Sequence, residues 1–134
     1  MNVLVDTSVW SLALRRRGQG GSAPLVDLLS DLIRDGRVVM MGAVRQELLS
    51  GVRTQAQFDS LRDHLRAFPD VELETEDFED AASFSNRCRA KGVQGSSVDL
   101  LICAVAARRE LAVLTTDNDF KHYARLLPIK LQPR

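Results

Sequence analysis

Asp6, Glu47, Asp99 and Asp117 are the residues of this 134-residue chain best suited to chemistry, because each falls where an apolar run ends or a helix starts. All four are carboxylates. Brought within a few ångströms of one another, two such groups repel by about 4 kcal/mol at about 4 Å if the effective dielectric is about 20. Either some of them protonate at raised pKa values, or a divalent cation sits among them. An all-oxygen set, with no cysteine and no histidine in it, favours Mg²⁺ or Mn²⁺ over zinc or copper. Such an ion keeps waters, generates hydroxide and neutralises charge on a phosphoryl oxygen. The chemistry implied is phosphodiester hydrolysis.

The elements around these acids decide whether they meet. Residues 3–5, Val-Leu-Val, form a run of buried-strand character that stops at Asp6, and Thr7 and Ser8 favour a helix start. Trp10, Leu12 and Leu14 supply the apolar side of that helix, which runs into Arg15, Arg16 and Arg17; Gly18, Gly20 and Gly21 then break it. A second helix begins at Pro24 with Leu25, Leu28, Leu29, Leu32 and Ile33 at helical spacing, and Gly36 ends it. The apolar run 38–41 is a second strand, and Gly42 turns the chain into a helix carrying Glu47. Helices follow over 55–68, stopped by Pro69, and over 77–91, where Phe78, Ala81, Ala82 and Cys88 recur. Val71 and Leu73 suggest a short strand between them. Ser96 or Ser97 opens a strongly apolar helix, 112–114 is a third clear strand, and a short helix precedes a last strand at 129–131.

Strands separated by helices imply a parallel sheet with right-handed crossovers. The helix from Val98 to Arg109 carries the chain about 18 Å from the carboxyl edge of that sheet. The strand that ends at Thr116 returns it by about 16 Å. Asp99 and Asp117 therefore share one edge, and Asp6 and Glu47 belong to it as well. Ligands of open α/β sheets bind at that edge.

Taken singly, each acid has a plainer reading. An aspartate after a strand is often a turn former or helix cap, Glu47 alone is a surface residue, and Asp99 suits a helix N-terminus. Coincidence at one edge is what favours a metal. Asp119 stays open between a ligand acting through water and a cap of the last helix. Ser8, Thr115 and Thr116 are placed either to donate to the acids or to cap. His64 and His122 read as solvent-exposed, and Trp10 as core or interface.

Composition sets outer bounds. At 45% hydrophobic and 27% charged residues the chain is an ordinary globular domain, with no apolar run long enough for a membrane helix and no secretory leader, so a cytoplasmic protein is expected. Cys88 and Cys103 show no metal-ligand spacing and suggest no disulfide framework. Lysine plus arginine equals aspartate plus glutamate at 18 each, so net charge does not point to nucleic acid. Arginine far outnumbers lysine, and its planar fork is the better phosphate reader. The acidic run 72–80 reads as a solvated surface.

Four stretches carry a resemblance. V-L-V-D-T-S-V-W at the start, E-L-L-S-G from Glu47, S-V-D-L-L-I-C-A-V-A from Ser97 and L-T-T-D-N-D-F from Leu114 resemble the PIN-domain ribonucleases, most closely the VapC toxins of bacterial toxin-antitoxin pairs. The likeness spans nearly the whole chain and implies a single PIN domain over residues 1–134, a three-layer α/β/α sandwich on a central parallel sheet. It further implies a homodimer, Mg²⁺- or Mn²⁺-dependent endonucleolytic cleavage of RNA, and a VapB-like antitoxin that wraps the toxin and blocks its site. The family's acids map onto Asp6, Glu47, Asp99 and Asp117, with Asp119 a further acid near the metal and Ser8 and Thr115 supporting hydroxyls. By the same analogy Arg15, Arg16 and Arg17 contact RNA or partner. The rival readings are a catalytically silent RNA-binding PIN module and a PIN-like DNA nuclease.

Overall fold

In the computed structural model, which describes residues 1–15 and 23–134, the opening apolar run becomes an interior strand. β1 (Val3–Val5) is wholly buried and pairs in parallel with β2 (Val38–Val39) on one side and β3 (Ala112–Leu114) on the other. β4 (Lys130–Leu131) pairs in parallel outside β3, which gives the order β2-β1-β3-β4. A strand with neighbours on both edges and helices on both faces has no solvent side. That is why its sequence is continuously aliphatic rather than alternating.

α1 (Thr7–Arg15) packs against both α2 (Ala23–Arg34) and α3 (Gly42–Ser50), and α3 against α4 (Gln55–Leu65), while α5 (Thr75–Ala90) packs against both α6 (Ser97–Arg109) and α7 (Asp119–Leu126). The chain moves from β1 to β2 in one direction and from β2 to β3 in the other. Right-handed crossovers then put α2 and α6 on opposite faces of the sheet. The result is the predicted three-layer sandwich. α6 is apolar on most sides, with Leu100, Ile102, Cys103, Ala104, Val105 and Ala106 buried, and it crosses the core. Among the described residues no helix is long and apolar enough to cross a membrane.

The register positions the carboxyl edge. Val5 pairs with Leu114, and the Asp6 N–H extends the ladder to the Leu114 carbonyl at 2.9 Å. The chain therefore leaves the sheet at Asp6 and at Thr115 side by side.

Four local expectations need correction. Asp77, read as part of a solvated acidic run, is fully buried, whereas Phe78 is 54% exposed. α5 is turned so that Asp77, Ala81, Phe84 and Cys88 face inward, and Asp77 finds its partners there. Its carboxylate accepts from Arg108 Nε at 2.9 Å, from Arg109 Nη1 at 2.6 Å and Nη2 at 2.9 Å, and from the Glu74 N–H at 2.7 Å. In α1 it is Val9 and Trp10 that are buried, while Leu14 is exposed, and in α2 Ile33 is exposed. Residues 71 and 73 form no strand; the isolated bridge lies between Met40 and Asp70. Arg16, Arg17 and the glycines at 18, 20 and 21 lie outside the described residues.

Candidate metal centre

The end of β1 and the end of β3 are stitched together through two hydroxyls. Asp6 is buried, and its Oδ2 accepts from Ser8 Oγ and from Thr115 Oγ1, each at 2.8 Å. Each hydroxyl then accepts from the loop after β3: Ser8 Oγ from the Thr116 N–H at 3.1 Å, and Thr115 Oγ1 from the Asp117 N–H at 3.0 Å. A hydroxyl has one proton. Both protons go to Asp6, so the loop N–H groups fix both oxygens from behind. Thr116 contributes its backbone to this network. Asp6 Oδ1 accepts no hydrogen bond among the described residues.

Asp99 arrives from the other side of the core on the first turn of α6. Ser96 caps that helix, its Oγ accepting from the Asp99 N–H at 3.0 Å. Asp99 Oδ2 accepts from Tyr123 Oη at 3.1 Å, a contact between residues on α6 and α7. Tyr123 is fully buried, and burial together with the Asp99 charge pushes its phenol above the ordinary range, so it remains a donor. Gly95 makes room for this pair. A Cβ there would lie 2.2 Å from Leu100 Cδ2 and 2.8 Å from Tyr123 Oη, so a larger residue forces both side chains to shift.

Asp99, Asp117 and Asp119 each bring one carboxylate oxygen to within 4.8 Å of the others. Asp117 also turns the loop, its Oδ1 accepting from the Asp119 N–H at 2.9 Å, which leaves the exposed Asp119 carboxylate in the cluster rather than capping α7. The crowding has an electrostatic signature. Burial raises Asp99 from 3.8 to about 6, against the Tyr123 hydrogen bond that lowers it, and the Asp6 and Asp117 charges add to the rise. Asp6 thus lies near enough to act on Asp99, although it stands outside the triplet.

Glu47 reaches this edge by a different route. It is exposed on α3 and its Oε1 accepts from Thr7 Oγ1 at 2.6 Å, so it is tethered to the residue that follows Asp6. Three contributors lie beyond the sequence pattern: Thr7 signals only a helix start, and no motif in the sequence marks Tyr123 or Gly95 as part of the site. The signal for Tyr123 is faint: a buried aromatic with a polar tip, three residues after the buried Phe120, whose ring meets it edge-on at 5.1 Å.

The donor set fits a hard divalent cation. Three carboxylate oxygens converge with no sulfur or imidazole among them, and such an ion would offset the Asp6 and Asp117 repulsion that adds to the effect of burial on Asp99.

The sequence profile of the PIN domain matches residues 3–126. The chain belongs to the PIN domain family. No curated protein sequence matches it significantly. Solved PIN structures do share its fold. VapBC2 from Rickettsia felis, bound to a DNA fragment from its promoter, superposes with a TM-score of 0.80 at 18% identity, over 98% of each chain. FitAcB from Neisseria gonorrhoeae gives 0.75 at 21% identity, over 98% of this chain and 97% of that one. VapBC-5 from Mycobacterium tuberculosis, a member of the VapBC family of toxin-antitoxin systems, gives 0.70 at 21% identity over the whole of both chains.

Proposed function

We propose that this PIN domain is a Mg²⁺- or Mn²⁺-dependent endoribonuclease, the toxin of a VapBC-type pair, acting in the cytoplasm. The observation that carries the reading is the convergence of Asp99, Asp117 and Asp119 beside a buried, doubly hydrogen-bonded Asp6. Asp99, Asp117 and Asp119 would hold the ion, with Asp6 a further ligand directly or through water. When bound, the ion lowers the pKa of an attached water and offsets negative charge on a phosphoryl oxygen. Ser8 and Thr115 keep Asp6 from turning away, and Tyr123 does the same for Asp99. Glu47, held by Thr7 at the rim, binds the ion or orients the attacking water. In-line attack at phosphorus leaves a 5′-phosphate and a 3′-hydroxyl.

Partners follow from the same reading. An antitoxin of the VapB kind is supported by the naming of the R. felis and M. tuberculosis neighbours as VapBC complexes or systems. An apolar groove of about 690 Å³ among α1, α2 and α4, where Leu14 and Ile33 are exposed, suits an apolar segment of such a partner. A homodimer completes the proposal.

The test is cleavage of a mixed RNA, and separately of single-stranded DNA, by wild type, Asp6→Asn and Asp99→Asn in Mg²⁺, Mn²⁺ and EDTA. The expected result is metal-dependent cutting of RNA by wild type and loss in both variants. Binding of RNA without cutting supports the silent module instead, and cutting of DNA alone supports the DNA nuclease. A short open reading frame upstream that overlaps this gene and whose product copurifies with the chain supports the antitoxin pairing.

A further inference from the structure

Resting on the ribonuclease reading, we propose that a single strand of RNA crosses the carboxyl edge of the sheet between two pockets, each of which carries a cation. Arg89 on one flank and Lys121 on the other bind its phosphodiester backbone. The physical need is plain. Three aspartates within 4.8 Å of one another, with Asp6 beside them, repel a polyanion, and one divalent ion offsets only part of that charge. Cations on either side of the acids supply the rest.

One pocket, of about 450 Å³, lies in the turn between α5 and α6 and is lined by Ser85, Arg89, Gln94, Gly95 and Ser96, with no acid in its wall. It abuts the candidate centre through two of those residues. Ser96 Oγ holds the Asp99 N–H, and Gly95 lies against the Tyr123 hydroxyl that holds the Asp99 carboxylate. The second pocket, of about 170 Å³, opens at the ends of β3 and β4, where Val113 and Leu131 floor it and Thr116, Asp117, Lys121 and Arg134 line it. Each pocket therefore meets the triplet, one beside Asp99 and the other at Asp117.

Charge is distributed to match. Residues 81–98 carry Arg87, Arg89 and Lys91 and no acid at all. Arg108 and Arg109 spend their guanidinium groups on the buried Asp77 and Arg45 pairs with the exposed Asp70, whereas among the described residues Arg89 bonds the neutral Asn86 and neither Arg89 nor Lys121 forms an ion pair. A guanidinium without an acid can present its fork to a phosphate.

The experiment compares wild type with Arg89→Gln, Lys121→Gln and the double variant, and with Lys130→Gln as a control. Lys130 pairs with Ala112 at the start of β3, on the opposite edge. Fluorescence anisotropy of a labelled single-stranded RNA in EDTA, over a salt series, reads affinity and its salt slope. Steady-state cleavage in Mg²⁺ reads KM against kcat. Each flank variant is expected to weaken binding several-fold, to lower the salt slope by about 0.7, and to raise KM with kcat kept; Lys130→Gln is expected to change none of these. Flank variants that match wild type, or a Lys130→Gln loss equal to theirs, overturn the tract while leaving the nuclease reading intact. Wild type that neither binds nor cuts RNA overturns both.

Discussion

Tyr123 Oη donates to Asp99 Oδ2 at 3.1 Å, across 24 positions of sequence, and Gly95 alone leaves space for that contact. Partners that orient a metal ligand commonly contribute 10- to 100-fold to metal affinity. Tyr123→Phe keeps the ring and removes the donor. It is expected to leave thermal stability nearly unchanged in the metal-free protein and to weaken Mn²⁺ binding about 10-fold, read by electron paramagnetic resonance of free Mn²⁺. Equal Mn²⁺ affinity in the two proteins contradicts a positioning role. Gly95→Ala is expected to lose both metal affinity and stability, because it also collides with Leu100.

Asp6 depends on two hydroxyls that share its Oδ2. Ser8→Ala and Thr115→Ala are each expected to reduce RNA cleavage by roughly 10-fold through the lost charge-assisted bond. The double variant is expected to lose less than the product, because both hydroxyls position the same oxygen. Fully multiplicative losses indicate independent roles.

Asp77 links the stability of the fold to acid pH. Its two arginine partners, with Arg109 first, hold it at about 2, below its ordinary 3.8. A carboxylate depressed in the folded state contributes stability that is complete above about pH 4 and lost as pH falls through about 2. The shift corresponds to about 2 kcal/mol. Urea midpoints across pH 2 to 7 are expected to show that loss in wild type and a flatter profile in Asp77→Asn. The variant is also expected to be about 2 kcal/mol less stable at neutral pH, because the buried Asp77 side chain loses its hydrogen bonds to the charged Arg108 and Arg109.

These contacts mark where sequence reading stops. The strands and their terminal acids were legible because runs such as Val3-Leu4-Val5 and Ala112-Val113-Leu114 are too short and too apolar to be anything but interior strands in this alternation. Topology alone then carried Asp6, Asp99 and Asp117 to one edge. Tyr123 was not legible, since only the packing of α7 on α6 brings it to Asp99. Asp77 was hidden among like charges, and its burial follows from where Arg108 and Arg109 fall at the far end of α6. Leu14 and Ile33 fitted helical spacing yet stayed outside, and both line the open groove among α1, α2 and α4.

On the proposed reading the antitoxin occupies that groove, away from the clustered acids. Leu14 is 43% and Ile33 39% exposed, so both accept a charge without disrupting the core. Leu14→Glu with Ile33→Glu is expected to abolish copurification with the antitoxin and to leave RNA cleavage within about two-fold, while burying a glutamate in the complex costs several kcal/mol. Intact copurification contradicts the placement of the partner in the groove.

On the proposed reading, carboxylates from the end of β1, the first turn of α6 and the loop after β3 would hold a hard divalent ion between them. Mn²⁺ is titrated into wild type, Asp99→Asn and Asp117→Asn, with RNA cleavage followed in the same samples. Wild type is expected to bind saturably, each variant at least about 10-fold more weakly, and cleavage to rise and fall with occupancy. Variants that bind Mn²⁺ as wild type does, or that cut RNA at full rate, contradict that reading.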